Sequence, residues 1–417
     1  MPGKRIAILH YAAPPIVGGV ESTIYHHARL LNQSGYEVSL IAGRGEAFHP
    51  DVSFHLIPEI DSRHPQILEV GEQLSQGTVS SQFETIRDQL VLRLSSILTH
   101  VDVTIVHNIF TLHKNLPLTA ALHQVNEDGI TNLIAWCHDF AWQDALYTPA
   151  LHPGYPWDLL RTPWPGVLYV VVSEHRRSRL ATLLNIPEED IRVVTPGVDI
   201  SNFLKLEPLT MQLIEKLDLL SADPLMLLPA RVTRRKNVQL AIRVTAALKH
   251  YKPSATLVVT GPPGPHNPKN VAYLQSLISL KEELGVSNQV HFLYEQGEGG
   301  QPLHIPDEVI ADFFRTADLL LFPSRREGFG IPVLEAGLAR LPVFAADIPS
   351  VHESAANLAE LFDLNGDPNN IARNIASRLG DDRAYQLKRR VFERFTWQKI
   401  VKNKLIPIIE SRPSSGV

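Results

Sequence analysis

Strand-like and helix-like segments alternate from one end of this chain to the other. That alternation admits few folds besides parallel sheets covered by helices. In the first half, apolar runs at Arg5–His10, 37–41, 101–106, Asn132–Cys137 and 168–172 are predicted strands. Segments 19–32, 83–99 and Glu174–Leu184 carry helix patterns. The second half restarts with strands at 225–229, 256–260, 290–294, Leu319–Phe322 and 343–345, and a helix at 237–250. Between the halves, from Thr195-Pro196-Gly197-Val198-Asp199 to Pro224, turn residues replace the strand pattern. The expected division is therefore 1–205, 206–390 and a terminal segment, 391–417, in which Thr396 is a good N-cap for a last helix. No short internal repeat interrupts this plan.

The most specific chemistry lies after the apolar run at Leu319–Phe322. There Ser324-Arg325-Arg326 leads into Glu327-Gly328-Phe329-Gly330-Ile331-Pro332-Val333-Leu334-Glu335. Pro332 suits the first turn of a helix, so the order is strand, glycine loop, helix. Backbone N–H groups at such a helix start, together with its dipole, favour an anion. Glu327 and Glu335 would repel a bare phosphate. They fit a ligand that also carries hydroxyls, because carboxylates accept hydrogen bonds from them. A sugar nucleotide has both groups. The bland alternative, a turn before an amphipathic helix in any α/β domain, does not account for the two acids.

Four further segments sit at strand ends, where open α/β sheets bind ligands. Arg231-Val232-Thr233-Arg234-Arg235-Lys236-Asn237 follows the first strand of the second half and suits a diphosphate, since Arg forks onto phosphate oxygens and Lys supplies a point charge. A solvated basic turn is the alternative reading of such a charge run. Val17-Gly18-Gly19-Val20-Glu21 follows the first strand, and its glycines allow a close approach of backbone to ligand. It is not the Gly-x-Gly-x-x-Gly dinucleotide fingerprint, so a dehydrogenase loses support. His107-Asn108 and His138-Asp139 end two neighbouring predicted strands. The stretch 140–165 is rich in aromatic residues and suits either sugar stacking or an ordered, packed loop.

The 327–335 segment resembles the E-x7-E motif of retaining glycosyltransferases of family 4. The resemblance implies the GT-B fold, two Rossmann-like, doubly wound parallel-sheet domains facing a central cleft. It implies retaining transfer of a hexose, glucose or mannose, from a nucleotide diphosphate sugar to an unidentified acceptor hydroxyl. Glu327 would then hold the donor sugar and Glu335 the ribose, with Gly328, Phe329, Gly330 and Ile331 lining the donor. Arg231 and Lys236 match the family's Arg-x4-Lys pattern and are the expected diphosphate ligands, Arg234 and Arg235 are expected to face solvent, and Asn237 replaces a frequent Gly. Gly18 and Gly19 match its N-terminal glycine loop, which faces the donor phosphates and the acceptor. His138 matches a histidine beside the reacting sugar carbon, with Asp139, Trp142 and Tyr147 as acceptor-side candidates. Gly261-Pro262-Pro263-Gly264 is similar to a loop near the nucleotide base, with its second glycine displaced; Tyr294-Glu295 lies where base contacts are usual. The C-terminal helices of this family cross back to the first domain.

Composition narrows the alternatives. A formal charge of −5 argues against a nucleic-acid binder. The single cysteine, Cys137, excludes an internal disulfide and fits a reducing cytoplasm. No apolar stretch is long enough to span a bilayer, which leaves peripheral contact with the inner face of a membrane open. No Asp-x-Asp metal site stands at a matching place, so neither metal nor cofactor is expected. Other enzymes on the same scaffold, a nucleotide-sugar epimerase or a sugar phosphorylase, and a non-catalytic nucleotide-sugar binder are the competing readings.

Overall fold

The computed structural model describes residues 4–16, 18–265 and 269–413. The chain divides into two units, Met1–Gly197 with Trp397–Val417, and Val198–Thr396. The divisions fall at 197/198 and 396/397, not at 205/206 and 390/391. Ile200, Leu206, Tyr385 and Phe392 are buried in the core of the second unit, whereas Trp397, Ile400, Val401, Leu405 and Ile409 are buried in the first.

The first unit holds seven strands: β1 (Arg5–His10), β2 (Glu37–Ala42), β3 (Val52–Leu56), β4 (Val103–His107), β5 (Asn132–Cys137), β6 (Leu168–Val171) and β7 (Ile191–Val193). They pair in parallel in the order β3-β2-β1-β4-β5-β6-β7. Ile6 and Ile8 enter the core on one face of the sheet, Ala7 and Leu9 the core on the other. Both faces are covered, so the central strands are continuous apolar runs and not alternating ones. The C-terminal helices complete one of these cores. Trp397 stacks on His26, with ring centres 4.9 Å apart. A Cβ at Gly197 would lie 2.7 Å from the Trp397 backbone nitrogen, so only glycine lets the two segments pass this closely.

The second unit repeats the plan with β8 (Leu225–Leu228), β9 (Thr256–Val259), β10 (Val290–Phe292), β11 (Leu319–Phe322), β12 (Val343–Ala346) and β13 (Glu360–Phe362). Their order is β10-β9-β8-β11-β12-β13, again all parallel. Among the described residues, no helix is long and apolar enough to cross a membrane.

In each sheet the order of winding reverses once, between β1 and β4 and between β8 and β11. The helices that follow diverge there to opposite faces and leave a crevice at the carboxyl ends of the strands. His10 and His107 end the two strands flanking the first crevice. The basic loop and the Glu327 loop leave the two strands flanking the second.

Candidate active site

In the second unit, adjacency of β8 and β11 joins two loops that lie some ninety residues apart in sequence. The Arg325 N–H donates to the Arg235 carbonyl at 2.9 Å, which fixes the loops backbone to backbone. Arg235 Nη1 donates to the Arg326 carbonyl and to Glu327 Oε2, both at 2.8 Å. Lys236 Nζ lies 2.7 Å from Glu327 Oε1 and 5.5 Å from the centre of the Phe322 ring. The Glu327 side chain is 8% exposed. Its burial by itself pushes the carboxyl pKa up, but Lys236, Ser324 and Arg235 outweigh that and hold it below the ordinary value. Arg235 keeps a partly exposed side chain, yet it is the second cation on Glu327 and not simply a solvent-facing charge.

Arg231, Arg234, Arg235, Lys236, Lys269 and Asn270 line a cavity of about 650 Å³ next to this ion cluster. The loop after β9 closes one side of it. The Val232 N–H donates to the Pro262 carbonyl at 2.9 Å, and the Gly264 N–H to the Val232 carbonyl at 3.2 Å. A Cβ at Gly261 would lie 2.5 Å from the Ala230 carbonyl oxygen, a close approach only glycine permits. Lys269 and Asn270 escaped the sequence reading because they open an ordinary amphipathic helix; only the fold turns them to this cavity. A second, mostly apolar cavity of about 480 Å³ lies beside Ala317 and Pro342, before β11 and β12, at the other end of the sheet.

Two residues with left-handed backbone shape the loops. Asn237 has φ 52° and ψ 41°, the conformation that glycine adopts freely and asparagine tolerates. Its place in the pattern, where Gly is frequent, thus has a backbone reason. Gly330, at φ 97°, ends the loop and precedes the helix Ile331–Leu338. Gly330→Ala is expected to lower the stability of the second unit by about 1–3 kcal/mol, because the position excludes a Cβ conformationally. A urea unfolding curve superimposing on that of the parent chain would refute this. Phe329 and Ile331 side chains are exposed, and Glu335 is exposed on the same helix. Its partial burial and the neighbouring Asp307 both push the Glu335 carboxyl above its usual value.

The first unit collects four histidines near its own crevice. His10 Nδ1 bonds the His107 carbonyl oxygen at 2.8 Å, and His107 Nδ1 lies 3.4 Å from His138 Nε2. The His27 and His107 ring centres are 5.7 Å apart. Burial dominates all four: His10 and His138 are lowered to about 4, His27 to about 3, and His107 well below its usual value. They are neutral at pH 7. Asn108, left-handed at φ 56°, aligns the loop after β5. Its side-chain oxygen accepts from the His138 and Asp139 N–H groups at 3.2 and 3.0 Å, and its amide donates to Asp139 Oδ2 at 3.0 Å. Arg176 stands 3.6 Å from the other Asp139 oxygen.

Gly18 precedes the helix Gly19–Gln33, and the Glu21 carboxylate packs against Gly18. An anion approaching Gly18 therefore requires Glu21 to swing aside. Trp142 donates to the Trp157 carbonyl at 3.1 Å, and the Arg161 guanidinium covers its ring at 4.0 Å. Tyr147 packs on the His113 ring with centres 4.8 Å apart. Trp157 and Trp164 are core residues, so much of 140–165 is the ordered, packed loop.

Comparison with known proteins settles the family. The family described as glycosyl transferases group 1 matches residues 212–394, and that described as glycosyltransferase family 4 matches 17–202. The chain belongs to the group 1, family 4 type of glycosyltransferases. Its two Rossmann-like units are the GT-B fold. The mannosylglucosylglycerate synthase of Petrotoga mobilis is 26% identical over 62% of this chain and 62% of its own. That of Thermotoga maritima is 25% identical over 81% and 79%. The D-inositol 3-phosphate glycosyltransferase of Nocardia farcinica is 30% identical over 41% and 35%. The match thus spans under two thirds of the Petrotoga relative and about a third of the Nocardia one. The ion cluster of Arg235, Lys236 and Glu327 falls within the group 1 segment; His27, His107 and His138 fall within the family 4 segment, and His10 lies before it.

Proposed function

We propose that this glycosyltransferase moves a hexose, with retention, from a nucleotide diphosphate sugar to an acceptor hydroxyl. The observation that carries this reading is the pairing of the β8 and β11 loops at the second unit's crevice. It places cations suited to a diphosphate beside a buried carboxylate suited to sugar hydroxyls. Arg231 and Lys236 take the diphosphate and stabilise the charge that grows on it as the sugar leaves. The N–H groups around Gly328, Phe329, Gly330 and Ile331 add donors at a helix start. Glu327 holds the sugar and Glu335 the ribose. In the first unit, neutral His138 offers a ring nitrogen that accepts or donates without carrying charge, in a loop aligned by Asn108.

Neither carboxylate acts as a nucleophile in this reading. The leaving phosphate takes the acceptor's proton, and the basic loop does the work that a metal would otherwise do. Glucose and mannose as the hexose draw support from relatives whose names include glucosyl and mannosyl groups. The acceptor belongs to glycan, glycolipid or glycoside synthesis, and the protein works in the cytoplasm.

Calorimetric titration with UDP, GDP and ADP, each with and without EDTA, tests the reading. One nucleotide is expected to bind with an affinity that EDTA leaves unchanged. Lys236→Ala is expected to weaken that binding by about 10–100-fold, the loss of one charge-assisted contact. Failure of all three nucleotides to bind would refute the sugar-nucleotide donor, and binding abolished by EDTA would refute metal independence.

A further inference from the structure

Lys236 has two claims on it. In the structure its ammonium neutralises Glu327 Oε1, and in the proposed reaction it is needed on the diphosphate. A compact ammonium on a flexible stem can move between them. Glu327 cannot simply be released, because its side chain is nearly enclosed. A buried carboxylate that loses its cation takes up a proton, and a protonated acid donates where the ionised one only accepts.

Arg235 is built differently. Its own carbonyl accepts from the Arg325 N–H, and its guanidinium donates to the Arg326 carbonyl and to Glu327 Oε2. Backbone and side chain together fasten it to the loop that carries Glu327. It takes the carboxylate oxygen that Lys236 leaves alone. A guanidinium stays charged at any working pH, and two fixed bonds on neighbouring acceptors set its plane. We propose that Arg235 is the positioning residue that holds the Glu327 carboxylate in register while Lys236 is drawn onto the donor diphosphate. This rests on the donor-site reading above, but the hold on Glu327 is a property of the chain itself. The charged and polar groups facing Glu327 are Lys236 and Arg235 from the basic loop and Ser324 from its own loop.

The experiment has two arms on the full-length chain. In the first, carboxyl carbon NMR follows the Glu327 titration, with no ligand, in Lys236→Ala and in Lys236→Ala combined with Arg235→Ala. The expected result is a carboxyl that stays ionised to low pH in the single variant and titrates at distinctly higher pH in the double. Identical titrations would overturn the proposal, whatever the enzyme's substrate. In the second arm, release of UDP from UDP-glucose or GDP from GDP-mannose is measured for Arg235→Ala and Arg235→Lys. Arg235→Ala is expected to bind the free nucleotide within about threefold of the parent chain while kcat falls about 10–100-fold. Its acid limb of kcat is expected to move to higher pH, with partial recovery in Arg235→Lys. A loss of nucleotide affinity matching that of Arg231→Ala would make Arg235 a diphosphate ligand and overturn the positioning role. A parent chain that neither binds nor turns over any nucleotide sugar would refute the donor-site reading alone, and the NMR arm would still decide the hold on Glu327.

Discussion

Glu327→Ala is expected to lower transfer by about 10²–10³-fold or more while nucleotide diphosphate binding survives. The carboxylate sits between two cations, with Lys236 on one oxygen and Arg235 on the other. Removing it takes away the acceptor for sugar hydroxyls but leaves the groups that face phosphate. Free nucleotide is expected to bind as well as before or more tightly, because both cations lose their internal partner. Glu327→Gln, of the same shape but without charge, separates the loss of charge from the loss of volume. The measurements are steady-state turnover with UDP-glucose and GDP-mannose beside calorimetry with UDP and GDP. Near-normal turnover in the Ala variant would remove Glu327 from the donor site. Lost nucleotide affinity would place it on the nucleotide and not on the sugar.

Acid is expected to unfold the first unit well before carboxylates titrate. His10, His27 and His138 are held low chiefly by burial, at about 4, 3 and 4, and His107 lower than its usual value for the same reason. In the unfolded chain each titrates near 6.5. Below that pH the unfolded chain binds protons that the folded unit refuses. Stability is therefore full above about pH 6.5 and falls as the pH drops toward 4, by roughly 1.4 kcal/mol per pH unit for each such histidine. A selective probe exists, because all five tryptophans, Trp136, Trp142, Trp157, Trp164 and Trp397, belong to this unit. Urea midpoints read by tryptophan fluorescence should drop steeply between pH 7 and 4.5. A flat profile over that range would show that the buried rings gain protons without unfolding.

Much of the plan was legible in the sequence. The central strands of both sheets bury side chains on two faces, so they stand out as unbroken apolar runs, such as Leu319–Phe322. Three edge strands left no such mark. β3, β7 and β13 are short, and each exposes residues along its length, so no apolar run betrays them. Residue type and strand-end position mark a basic loop and an acidic glycine loop; the choice of Arg231, Lys236, Glu327 and Glu335 within them rests on their resemblance to the family's motifs. What they touch was not legible. Arg235 reads as one more surface charge in a basic run, and Asn108 as a residue after a strand. Contact between residues some ninety positions apart depends on which strands are neighbours, and strand order is set by how helices cover both faces of a sheet. The sequence by itself determined which chemical groups stand at the carboxyl ends of which strands, because local pattern controls where a strand stops. Only the tertiary structure decided that β8 lies beside β11. That adjacency puts two cations onto Glu327 and makes a site out of two loops.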